Sequence, residues 1–81
     1  MTAKNEQMVV ETIQRALHLE DNVLTLKSSM HDIEEWDSLG HLEILSALNK
    51  IFDRKVASIK EIAMADSVEK IVRVLKENSL I

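Results

Sequence analysis

The sequence predicts an all-α fold: a bundle of three main helices and one short helix, with a long first loop, in a single domain spanning residues 1–81. Three observations lead there. Gly occurs once and Pro never, so the residues that punctuate hairpins and tight turns are nearly missing. Apolar side chains recur at helical spacing in several segments instead of alternating as they do along half-buried strands. Finally, 81 residues with 46% hydrophobic and 30% charged side chains suffice for one modest core, which leaves little room for a large substrate cleft.

In the first segment, Val9, Val10, Ile13, Ala16 and Leu17 fall within an arc of about 120° at about 100° per residue. Glu11, Gln14, Arg15 and His18 lie opposite, which predicts an amphipathic helix over about residues 3–19. From Glu20 to Asp37 that period fails. Val23, Leu24, Leu26, Met30, Ile33 and Trp36 persist, however, so the stretch reads as a long loop pinned onto the core. A second helix is expected from about Ser38 to Phe52, with Asp37 as its cap, because a carboxylate there can accept from the free N–H groups of the first turn. Two capping-box spacings follow. Ser58 with Glu61 predicts a short helix holding Ile59 and Ile62, and Asp66 with Glu69 predicts a last helix packing Val68, Ile71, Val72 and Leu75.

Ten basic against fourteen acidic side chains give a net charge of −4, which disfavours nucleic acid as a partner. Half of the acids, Glu20, Asp21, Asp32, Glu34, Glu35, Asp37 and Glu43, crowd the segment from 20 to 43, where Lys27 is the only Lys or Arg. A partner with a basic face suits such a segment. The chain has no cysteine, so any thioester chemistry borrows its sulfur. His18 and His31 show no ligand spacing, and no metal site is expected. The opening MTAKNEQ lacks an apolar leader and no run reaches the ~20 apolar residues of a membrane span, so the expectation is a cytoplasmic protein without a span.

The informative segment is Trp36-Asp37-Ser38-Leu39-Gly40-His41-Leu42-Glu43, a hydroxyl at the mouth of a helix after an acidic loop. Free N–H groups and the positive end of the helix dipole favour a phosphate there, and Gly40 removes one side chain from the approach. With Ser38 at 0° on the wheel, Ile44, Leu45, Leu48, Ile51 and Phe52 cluster between about 220° and 340° and define the core side. Leu39 at about 100° and Leu42 at about 40° instead share the outer face with Ser38 and Glu43. Exposed apolar groups ringed by polar ones predict a docking surface, unless the long loop folds over them. A lone Asp-Ser-Leu triplet would mean only a helix start.

Taken as a set, the features resemble the acyl carrier proteins. The likeness covers essentially the whole chain: its length, the amphipathic first helix, the long loop, Asp37-Ser38-Leu39 opening a second helix, Glu43 five residues after the serine, Phe52-Asp53 closing that helix, and a short helix before the last. This resemblance implies that Ser38 carries a 4′-phosphopantetheine arm taken from coenzyme A by a phosphopantetheinyl transferase that brings its own magnesium. Acyl groups would then ride on the arm as thioesters between partner enzymes, an acyl-activating enzyme or synthase and acyltransferase partners. Asp37 matches the motif aspartate beside the arm, and Leu39, Leu42 and Glu43 match positions presented to partners. A monomeric, non-catalytic carrier follows. Glu35-Trp36 before the motif, Gly40 after it, and Asn49 and Lys50 further on depart from the housekeeping fatty-acid carriers and look more like a specialised carrier served by its own activating enzyme. An aminoacyl or peptidyl-type carrier, or a helical interaction module without the arm, are the alternatives.

The remaining residues of note read as structural. His41, at the edge of the core side, is expected to pack under the loop rather than reach a phosphate, and Trp36 to plug the loop's end. Ser38, His41 and an acid make no catalytic triad, for lack of an oxyanion hole. Arg54, Lys55 and Lys60 form a basic corner. Met30 and Met64 are expected as adaptable core surface, and with Ala47, Ala63 and Ala65 are the candidates to border an acyl tunnel, against an expectation of ordinary dense packing.

Overall fold

Each long helix begins where a short polar side chain satisfies an otherwise free N–H of the first turn. The computed structural model describes residues 5–20 and 23–81. Helix α1 spans Glu6–Ala16, and its cap Asn5 accepts from the N–H of Met8 at 3.0 Å. Helix α2 spans Ser38–Ile51, and Asp37 caps it as expected. Helix α3 is the short Lys60–Met64, and α4 is Val68–Glu77. No strand occurs among the described residues, so the chain is all-helical there.

Neither predicted capping box forms. The Ser58 hydroxyl donates to the Lys55 carbonyl at 3.4 Å, and α3 starts after Ile59 with no side-chain cap. One residue beyond Asp66, Ser67 caps α4 by accepting from the Lys70 N–H at 3.2 Å. The Asp66 carboxylate is instead held by the Lys70 ammonium at 2.9 Å, an i,i+4 pair that competes with the cap geometry.

Helix ends were the other difference. Residues 3 and 4 of the expected first helix lie outside the described residues, and α1 stops at Ala16, short of 19. His18 turns left-handed at φ 59°, and the N–H of Leu19 reaches back to the Gln14 carbonyl at 3.0 Å. That is the terminating turn usually given to glycine. In a chain with one glycine, Ser79 (φ 59°) does the same after α4, and Asp53 and Arg54 (φ 54° and 66°) follow α2.

Packing, more than capping, fixes where the helices sit. Val9, Ile13 and Leu17 of the α1 segment, Ile44 and Leu48 of α2, and Ile71 and Leu75 of α4 are buried in one cluster. Each such burial stabilises by about 1.5–3 kcal/mol, against about 1 for a cap. Helix α1 packs on α2 and on α4, and α3 also touches both. The long loop is tied down at two places. Leu24 and Trp36 are buried, and the backbone of Ser28–Met30 pairs with Asp66–Val68 through Met30 N–H to Asp66 O (2.8 Å) and Val68 N–H to Ser28 O (3.0 Å). Val23 and Leu26, read as pinning residues, are exposed instead. Among the described residues no helix is long and apolar enough to cross a membrane.

Candidate functional site

Ser38 is the first residue of α2, and its position follows from the capping chemistry beside it. The Asp37 carboxylate accepts from the Gly40 N–H at 2.8 Å, and the Asp37 carbonyl accepts from the His41 N–H at 2.8 Å. These two bonds use the third and fourth N–H groups of the turn. The N–H groups of Ser38 and Leu39 have no acceptor among the described residues, and neither does the exposed Ser38 hydroxyl have a partner. An exposed alcohol beside two free N–H donors and the positive end of a 14-residue helix is a set of groups able to hold a phosphate ester.

The outer face of α2 is as the wheel predicts. Leu39 is 69% exposed and Leu42 61% exposed, and Glu43 is exposed beside them. The long loop does not cover them. Its own exposed acids, Glu34, Glu35 and Asp37, lie on the chain just ahead of Ser38. On α3, Met64 is 83% exposed, so it is no core filler; Met30 does pack against the core.

Gly40 has a different role from the one read in the sequence. It is buried, and a Cβ built there would lie 2.4 Å from the Glu35 carbonyl oxygen and 2.9 Å from Leu17 Cδ2. The missing side chain therefore lets the loop end and α1 close onto α2; it does not clear the approach to Ser38.

His41 and Trp36 are buried, as expected, but they do more than fill space. The Trp36 indole N–H donates to His41 Nδ1 at 3.0 Å, and His41 Nε2 lies 3.0 Å from the Ile62 carbonyl. The two ring planes are within 14° of parallel. The bond to α3 was missed in the sequence, where nothing marks a backbone carbonyl 21 residues away as a partner.

The residues read as a tunnel border do not gather. Ala65 is buried in the core, while Ala63 lines a pocket of 210 Å³ with Leu45, Val56 and Ile59. Ala47 lines a separate open groove between α1 and α2 with Arg15 and Lys50. Arg54, Lys55 and Lys60 are all exposed. Among the described residues no group of three or more His, Asp and Glu side chains is placed to hold a metal. Comparisons of the chain with protein-family models, with curated proteins and with solved structures return no match.

Proposed function

We propose that this protein is an acyl carrier, with a 4′-phosphopantetheine arm on Ser38. The observation that carries the reading is the pairing of an exposed Ser38 hydroxyl, without a partner among the described residues, at a helix mouth with two leucines, Leu39 and Leu42, left on the adjacent outer surface. A helix start with no further role gives no reason to leave both leucines in water. Phosphate-ester chemistry fits the groups present, since the free N–H donors of Ser38 and Leu39 suit phosphate oxygens.

In the loading step the Ser38 oxygen bonds to the phosphorus of coenzyme A nearest the pantetheine. The bond to the bridging pyrophosphate oxygen breaks, adenosine 3′,5′-bisphosphate leaves with the electron pair, and the serine proton passes to a base of the transferase. The arm, once bound, supplies the thiol that this cysteine-free chain lacks. The chain's own part is to hold Ser38 at a fixed helix start, through Asp37, and to present Leu39, Leu42 and Glu43. A small apolar patch beside acids gives steered, reversible docking, suited to a shuttle that visits an activating enzyme, synthase or acyltransferase in turn. The shuttle itself is monomeric, cytoplasmic and non-catalytic, and it belongs to a specialised pathway.

The test is to incubate the protein and its Ser38→Ala variant with a broad phosphopantetheinyl transferase, magnesium and a fluorescent coenzyme A. Label on the wild type alone supports the carrier. Absence of label across several transferases refutes it and leaves a helical interaction module.

A further inference from the structure

The hydrogen bonds around His41 run through three separate parts of the chain, and their directions are fixed by chemistry. An indole N–H can only donate, so His41 Nδ1 must accept from Trp36 at 3.0 Å. The ring proton is thereby on Nε2, which donates to the Ile62 carbonyl, also at 3.0 Å. Trp36 is 1% exposed and His41 7%, so both bonds are shielded from water. His41 sits three residues after Ser38, on the inner side of the turn whose outer side carries Ser38, Leu39 and Leu42.

Those bonds hold weakly anchored elements. Helix α3 is five residues long, has no side-chain cap, and contributes one buried side chain, Ile62. A helix so short does not hold its place by itself. The loop end is likewise held by Trp36, whose backbone N–H donates to the Ile33 carbonyl at 3.0 Å. One imidazole therefore ties the residue two before Ser38, the first turn of α2, and α3 with its exposed Met64.

We propose that His41 is the positioning residue of the carrier site: it sets where α3 and the loop end stand relative to Ser38, and so the shape a partner enzyme meets. This rests on the carrier reading. His41 touches neither the arm nor the partner; it acts through Trp36 and Ile62. Since it orients a recognition surface and not the reacting oxygen, its loss should raise the KM for loading and leave kcat nearly unchanged.

The test compares wild type with His41→Leu, which keeps apolar bulk and makes neither bond, and His41→Gln, whose amide can accept from the indole and donate to the carbonyl. Loading of Ser38 is measured by steady-state kinetics with coenzyme A and one transferase. The indole N–H is followed by NMR, where the single tryptophan gives a single resonance. The expected result for His41→Leu is a KM raised about tenfold, as for loss of a buried hydrogen bond, with kcat within about twofold and the indole proton exchanging freely. His41→Gln should restore both the KM and the protected indole. Should His41→Leu fail to fold, Trp36→Phe, which removes the donor of the pair and its NMR resonance with it, takes its place on the kinetic readout alone: a raised KM with kcat within about twofold. A folded variant with a lost indole bond and an unchanged KM overturns the positioning role alone. A wild type that takes no arm overturns the carrier reading, and this role with it.

Discussion

Replacing Gly40 by Ala tests how closely the loop before Ser38 is fitted to the helix that carries it. The new Cβ would lie 2.4 Å from the Glu35 carbonyl oxygen and 2.9 Å from Leu17 Cδ2. The leucine methyl can turn aside; the carbonyl is backbone and moves only with the loop. Overpacking of this kind costs about 1–3 kcal/mol, and a contact so far inside van der Waals range belongs at the upper end. Alanine's better helix propensity returns at most about 1 kcal/mol. The net loss is about 2 kcal/mol, and with a urea slope of about 1 kcal/mol per molar for a chain of this size the midpoint should fall by about 2 M. Trp36 is 1% exposed and the only tryptophan, so its fluorescence reports the transition without a label. A midpoint equal to or above that of the wild type would refute the close approach.

Asp37→Ala should cost about 1 kcal/mol in the same assay and Asp37→Asn much less, because the cap accepts one N–H from Gly40. Ser38→Ala, which removes an exposed hydroxyl with no partner among the described residues, should stay within about 0.5 kcal/mol while abolishing loading. Leu39→Ala and Leu42→Ala should likewise leave the stability within about 0.5 kcal/mol of wild type, their side chains being mostly in water, yet raise the KM of the transferase; a large stability loss would mean that the leucines are buried. The Lys70 ammonium, by hydrogen bond and charge, holds the Asp66 carboxyl below the ordinary carboxylate value. A depressed folded value means that the pair's stabilisation is present above the unfolded value and lost as pH falls through the folded one. An NMR titration of Asp66 at low salt should therefore shift to higher pH in Lys70→Met, and an unmoved midpoint would contradict the pair.

Much of this was legible because helical periodicity carries most of the information in a chain without proline. The wheel that set Leu39 and Leu42 apart from Ile44, Leu48 and Phe52 matches their exposure residue by residue, and Asp37 caps where a carboxylate should. Contingent local choices were not legible. Ser58 and Asp66 each have a capping spacing, but the Ser58 hydroxyl donates to a neighbouring carbonyl and a lysine four residues on donates to the Asp66 carboxylate. The end of α1 was hidden because histidine, not glycine, adopts the left-handed turn at position 18. Gly40 and His41 were misread or half-read for a common reason. Both are explained by atoms far along the chain or on its backbone, the Glu35 and Ile62 carbonyls and the Leu17 methyl, which no pattern of side chains announces.

The proposed carrier role makes Ser38 a covalent attachment point. It is tested most directly by peptide-mapped mass spectrometry of the chain purified from its own cells and again after treatment with transferase and coenzyme A. The expected result is a gain of about 340 Da on the peptide spanning Ser38, at that residue alone. A Ser38 peptide that keeps its unmodified mass before and after treatment, or the same gain on a different residue, would contradict it.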